Sequence, residues 1–349
     1  MKANKAVFSF LLLGGLLLSC SPKRKSLSIF AYAKDDTYIL SLFDSLRGDL
    51  TDYDCSFFYA DRDQNAQNRD IIRQIENGAD AVLVNLVDRL AASAIVEKAY
   101  LSDVPCIFLN RKPLEGDLDP EEGEEYGSWV KQNCFYVGSY PSYEGEAQAD
   151  IANSFFSYFG GFDGSRFDKN GDGAIQVCML KGEQGHQDAE ERTLSSLSRL
   201  EELGYRVELL YSLSCDWERS IAEEKTSSIS LDDVELVLSN NDDMALGLLD
   251  HLKSVRQTGR PIYDEFFPII GVDGTVEGEK AVKDSEMVGT VKNDNAAQSS
   301  CAAALIRHLL DDEELPKETE GLLKQDNYYY SEGEAIKSPF FSAFSPVAK

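Results

Sequence analysis

Ten apolar runs of strand length recur along the chain, with amphipathic helical stretches between them, and nothing else in the sequence constrains the fold as much. They occupy residues 27–32, 55–59, 81–86, 106–109, 135–137, 175–180, 207–211, 234–238, 267–272 and 287–291. β-branched and aromatic residues suit a pleated, buried surface, and a helix after each strand carries the chain back to begin a parallel neighbour. The interval 138–173 holds only a helix at 144–159 and a loop, so the runs fall into two groups of about five. About 320 residues follow the N-terminal segment, more than one core commonly spans. The expectation is an α/β protein of two similar, doubly wound parallel-sheet lobes.

The N-terminus supplies an address. Lys2 and Lys5 precede an apolar run at 6–18 and the pair Ser19-Cys20, the pattern of a bacterial signal peptide (1–19) ending at a lipoprotein cleavage site. Cys20 would be lipidated, residues 20–26 would tether the body to the outer face of a membrane, and the apolar run is short for a span. Losing residues 1–19 removes two lysines and moves the formal net charge from −27 to −29, which argues against nucleic acid as a partner. Six further cysteines, Cys55, Cys106, Cys134, Cys178, Cys215 and Cys301, are widely spaced, and no disulfide pairing follows from that spacing. The acidic segment between Arg111 and Asn133 reads as a solvated surface loop.

Residues 167–192, FDKNGDGAIQVCMLKGEQGHQDAEER, combine a cation-type loop, a strand and a polar helix start. Asp168, Asn170 and Asp172 alternate before Gly173, as at positions one, three and five of an EF-hand loop, with the Ala174 carbonyl and Gln176 following. Position twelve, where a bidentate Glu is needed, is Met179. A remaining oxygen must therefore come from a distant part of the chain. The strand after the loop, where a calcium sensor has a helix, argues against a sensor.

The carboxyl edge of an open parallel sheet is where ligands bind. Behind the runs stand Asp35 and Asp36, Asn110, His186 and Asp188, Asn240 and Asn241, Asp273, and Asn293 and Asp294. Each alone suits a helix cap or turn. Six such strand ends together form a set of acceptors and amides, to which Arg192 adds a fork of donors suited to adjacent hydroxyl oxygens. That inventory describes a sugar, and Tyr38 and Trp217 are placed to stack on its two C–H faces.

The segments KDDTYI, DRDQNAQNRDIIRQIENGADAVLVNLVD, VPCIFLNRKP, DKNGDGAIQVCMLKGEQGHQDAEERT, VELVLSNNDDMALG, IIGVDG and GTVKNDNAAQ cover most of residues 27–310. In that order they resemble the galactose/glucose-binding protein family of bacterial sugar receptors. The resemblance implies a type I periplasmic binding protein fold with a three-crossing hinge, the crossings near Gly138, Ala296 and Tyr330. Its N-lobe would be 27–138 plus 296–329 and its C-lobe 139–295 plus 330–349. It implies hydrogen bonds to D-glucose or D-galactose from Asp36, Asn110, His186, Asp188, Arg192, Asn241, Asp273 and Asn293, with Tyr38 and Trp217 stacking. It also implies a structural calcium, with Glu235 completing the set Asp168, Asn170, Asp172, Ala174 and Gln176. The partners implied are an ABC transporter permease and, as a second reader, a chemoreceptor, for a protein that is monomeric and no enzyme.

The sequence departs from the family at several points. Tyr38 stands where the family usually has Phe, so its hydroxyl needs a partner; the acidic segment is long, the cysteines are unusual, and the likeness fades after Leu310. Two other classes fit the residues less well. A glycosidase would use Asp36, Asp188 and Asp273 as acid and base, but interleaved amides suit holding hydroxyls. A repressor of the same fold would need a basic DNA-binding helix pair where the signal peptide stands. Within the binding-protein reading, another monosaccharide or a chemotaxis role is the alternative.

Overall fold

The computed structural model describes residues 23–120, 124–256, 259–315, 322–331 and 333–342; the signal peptide and Cys20 lie outside them. Thirteen strands appear among these residues: β1 Ser26–Ala31, β2 Asp54–Tyr59, β3 Ala81–Val84, β4 Cys106–Leu109, β5 Cys134–Ser139, β6 Ala174–Lys181, β7 Arg206–Ser214, β8 Leu236–Ser239, β9 Ile269–Asp273, β10 Gly289–Lys292, β11 Leu322–Gln325, β12 Tyr328–Ser331 and β13 Glu334–Lys337. They form two sheets, of order β11-β12-β5-β4-β3-β1-β2 and β13-β10-β9-β8-β6-β7. The first five strands of each group repeat one topology, with the first strand of the group paired to the second on one side and the third on the other. Helices cover both faces. Strands β3, β4 and β8 are therefore buried on each side, and their four-residue apolar runs show no alternation.

Three features differ from expectation. The sheets are mixed rather than wholly parallel, because β11 runs antiparallel to β12 and β13 antiparallel to β10. Strands β11 to β13 carry no sequence signal of a buried run, since LLKQ, YYYS and EAIK lack a continuous aliphatic core pattern. The acidic segment is not simply a surface loop: it contains helices Glu115–Leu118 and Glu124–Asn133. Leu118 and Val130 are buried in the first lobe's core, and Trp129 packs edge-on against Tyr100 at 5.6 Å. Helix-spaced apolar residues were hidden there by the surrounding glutamates.

The chain passes between the sheets three times. It leaves the first after Ser139 and enters helix Pro141–Tyr158, whose Ala149, Ile151 and Phe155 join the second core. It returns after Lys292 through helix Asn295–Asp311, whose Cys301, Ala302 and Leu305 join the first core beside helix Thr37–Asp49. It crosses again between Ser331 and Glu334. These passages put the carboxyl ends of β1, β4, β6 and β9 around one cleft. The lobes meet across it through Thr37 Oγ1 donating to Asp243 (2.6 Å), the Arg111–Glu183 pair (2.9 Å) and the Arg62–Glu218 pair.

Candidate functional site

A cleft with about 310 Å³ of atom-free space, part of it open to solvent, lies between the lobes. Asp36, Tyr38, Asn110, His186, Asp188, Arg192, Trp217 and Asp273 line it, together with Tyr32, Ile39 and Arg111. Asn241 and Asn293 are not among the lining residues. Asn241 caps helix Asp242–Val255: its Oδ1 accepts from Met244 N (2.9 Å) and its Nδ2 donates to the Trp217 carbonyl (3.2 Å). The amide oxygen thus caps the helix while one N–H holds the Trp217 loop. Asn293 is buried beside the cavity, joined to Tyr38, whose hydroxyl donates to Asn293 Oδ1 at 3.0 Å. The Tyr38 hydroxyl has its partner within the protein.

Local structure explains how the side chains are aimed. Asp36 and His186 are N-caps, placed where a strand gives way to a helix. Asp36 accepts from Ile39 N (2.8 Å) and from the Tyr32 hydroxyl (2.6 Å), while His186 Nδ1 accepts from Asp188 N (3.2 Å). Burial, and then the charges of Arg111, Arg192 and Arg89, push the His186 pKa well below its ordinary value. The ring is neutral, and with Nδ1 accepting, its Nε2–H is a donor. Asn110, Trp217 and Asp273 have φ of 60°, 69° and 109°, and non-glycine residues in this region carry strain of the kind held at ligand sites. Gly182 is required beside Trp217, because a Cβ there would lie 2.2 Å from the indole ring.

Arg192 organises the floor. It is 3% exposed, its Nε donates to Glu144 (2.6 Å) and its Nη1 donates to the Asn240 carbonyl (2.8 Å). Asp188 and Asp273 each stand 4.0 Å from its guanidinium. Burial works against the Arg192 charge, but Glu144, then Asp188 and Asp273, outweigh it and raise the pKa. Burial likewise pushes the Asp188 carboxyl up to about 7, against the lowering by Arg192, and raises Asp273 well above the usual carboxylate range. Glu144 is fully buried, with its second oxygen unpartnered and its first also accepting from Ser139 Oγ at 3.3 Å. Asp188 Oδ1, Asn293 Nδ2 and Trp217 Nε1 are also buried without partners. Acceptors and donors left bare at one place are what a polyhydroxylated ligand would satisfy.

Glu144, Tyr32 and Arg111 were missed by reading strand ends. Tyr32 closes its apolar run and looks like core, and its ring lies under the Arg111 guanidinium at 3.8 Å. Arg111 directly follows Asn110, so adjacency was the available signal. Glu144 sits a helical turn past the first crossing, and nothing local marks it.

The cation-type loop lies at the other end of β6. Asp168 Oδ2 accepts from Gly164 N (2.9 Å), Asn170 Oδ1 from Asp172 N (3.0 Å), and Asp172 Oδ1 from Ala174 N (2.7 Å). Glu235, 1% exposed, reaches this loop from β8's start: its carboxylate accepts from Lys169 N (2.5 Å) and Gln176 N (3.0 Å). Gln176 Oε1 is buried without a partner. Among the described residues no group of three His, Cys, Asp or Glu side chains converges on a metal position.

Comparison with known proteins decides the family. Residues 28–314 match the periplasmic binding protein domain. The chain belongs to the periplasmic binding protein family. It is 31% identical over 265 residues to the D-galactose/methyl-galactoside binding periplasmic protein of Haemophilus influenzae, covering 75% of this chain and 73% of that one. It is 25% identical over 232 residues to the ribose import binding protein of Bacillus subtilis, covering 66% and 63% of the two chains. Among solved structures it resembles an ABC transporter periplasmic solute binding protein of Actinobacillus succinogenes with bound D-allose, at TM-score 0.71 and 16% identity over 92% of this chain and 100% of that one. A solute binding protein of Bacillus halodurans with bound myo-inositol gives TM-score 0.69 at 19% identity, over 93% and 98%. Members of this family are extracytoplasmic, non-enzymatic components of transport. No helix among the described residues is long and apolar enough to cross a membrane.

Proposed function

We propose that the protein is the lipid-anchored substrate-binding component of an ABC sugar importer and captures D-glucose or D-galactose between its lobes. The convergence of Asp36, Asn110, His186, Asp188, Arg192 and Asp273 on one small cavity, with Tyr38 and Trp217 contributed by opposite lobes, carries this reading. The carboxylates accept from sugar hydroxyls, Arg192 and neutral His186 donate to them, and the rings offer apolar faces to C–H patches. The relative named for galactose and methyl-galactoside supports a hexose. Because the ligand would touch both lobes only when they meet, its binding energy favours the closed state, which a permease can distinguish from the open one.

The same reading gives the loop a structural calcium, held by Asp168, Asn170, Asp172, the Ala174 carbonyl, Gln176 and Glu235. The bare Gln176 Oε1 and the buried Glu235 carboxylate turned to this loop fit a hard cation with oxygen ligands. Such an ion would neutralise the buried carboxylates and tie the loop to the start of β8, with no chemistry at the sugar. Cys20 would anchor the body at the membrane through the tether 20–26.

Trp217 gives the test an internal probe, since Trp129 is the other tryptophan and lies in the helix after the acidic segment. Titration with glucose or galactose is expected to change indole fluorescence saturably, and Trp217→Phe to abolish the change. No saturable signal with either hexose, in folded and sugar-stripped protein, would overturn the proposal.

A further inference from the structure

A chain of hydrogen bonds runs from the hinge to the cleft, and its polarity is fixed at one end. The Gly138 carbonyl can only accept. Ser331 Oγ lies 3.4 Å from it and, oriented to donate its single proton there, accepts from Gln298 Nε2 at 2.8 Å. The same Gln298 Nε2 donates to Asn293 Oδ1 at 2.6 Å, and the Tyr38 hydroxyl donates to that oxygen at 3.0 Å. Turning the Asn293 amide over would set its N–H₂ against that of Gln298, donor against donor. Every side chain in the chain is buried, with Gln298 fully so.

We infer that Tyr38 and Gln298 are specificity-determining positioning residues: they lock Asn293, which lies beside the cavity, with its amide nitrogen as the free end, so a ligand group that reaches it from the cavity must be an acceptor oxygen. Asn293 Nδ2 and, behind it, Gln298 Oε1 are buried without a partner within the protein. The chain also joins all three passages between lobes. Gly138 precedes the first, Asn293 lies in the second and Ser331 begins the third. Tyr38 reaches it from the first helix of the first lobe, so the lock is complete only when that helix and the carboxyl end of β10 are together. The inference rests on the sugar-binding reading and specifies how one sugar hydroxyl is chosen.

The test is calorimetric titration of the bound hexose and its 2-, 3-, 4- and 6-deoxy analogues against wild type, Tyr38→Phe and Gln298→Glu. In wild type one analogue, lacking the oxygen that meets Asn293, is expected to bind at least about tenfold more weakly than the parent. Tyr38→Phe keeps the ring and removes one donor, so parent affinity should fall about twofold to tenfold and the penalty for that analogue should shrink. Gln298→Glu is isosteric and replaces the donor with an acceptor. Asn293 then turns over, parent affinity falls about tenfold or more, and the analogue's penalty disappears. Melting curves establish that each variant is folded; if Gln298→Glu is not, Tyr38→Phe decides alone. Unchanged affinity and deoxy profile in the folded variants would overturn the lock, whereas absence of hexose binding in wild type would overturn the reading beneath it.

Discussion

Removing the Glu144 side chain probes the floor of the site. Glu144→Ala deletes the carboxylate 2.6 Å from Arg192 Nε and leaves a guanidinium that is 3% exposed with Asp188 and Asp273 only at 4.0 Å. Breaking one partner of a buried ion pair costs about 3–5 kcal/mol, because the other charge stays buried. For a lobe of roughly 150 residues melting as its own unit, about 1 kcal/mol corresponds to about 2–4 °C in melting temperature, so the expected fall is roughly 6–20 °C. Glu144→Gln keeps an acceptor for Arg192 and for Ser139 and should lose about half as much. Sugar affinity should fall in the same order, since Arg192 loses the group that fixes its Nε. Differential scanning calorimetry at pH 7.5 measures the first effect and titration the second. A melting temperature for Glu144→Ala within about 3 °C of wild type would refute the claim that this pair holds the floor.

Other outcomes follow from single residues. Burial raises the Asp188 pKa to about 7 from its ordinary 3.8, so its ionisation weakens the folded state as pH rises from about 4 to 7. The melting temperature of Asp188→Asn, relative to wild type, should therefore climb over that window and level off above it; a flat difference would contradict the shift. Chelation with EDTA should lower the melting temperature by about 5–10 °C if calcium is bound at a hundredfold excess over its dissociation constant. Glu235→Ala should reproduce that fall and make EDTA ineffective, and unchanged melting in both would mean that the loop holds no stabilising ion. Gly182→Ala puts a Cβ where the Trp217 ring lies, 2.2 Å from its nearest atom, and should cost about 1–3 kcal/mol in stability as well as hexose affinity. Wild-type behaviour in both measures would show that the ring can move freely.

Much of the fold was legible because its signals are local. Strands β1, β3, β4, β6, β8 and β9 are buried runs bounded by polar caps, and their order follows from the alternation with helices. β12 and β13 were not legible, because their place is set by pairing with β5 and β10, far away in sequence. The helix Glu124–Asn133 was obscured by acidic composition, although Tyr126, Trp129 and Val130 already lay at helical spacing. At the site, Asp36, Asn110, His186 and Asp273 could be found because strand ends point at the cleft. Asn241 looks equivalent in sequence, yet its amide bonds Met244 and Trp217, a use that depends on which loop lies beside it. Glu144 and Gln298 act through Arg192 and Asn293, and nothing in their own neighbourhood of sequence records those partners.

Isothermal titration of unfolded, sugar-stripped and refolded protein with D-glucose, D-galactose, D-ribose and D-xylose shows whether the cleft is a hexose site. One-to-one binding of a hexose with micromolar or tighter affinity, lost in Arg192→Ala, is expected, with weaker or no binding of the pentoses. A refolded protein that gives no heat with either hexose, or that prefers a pentose, would contradict it.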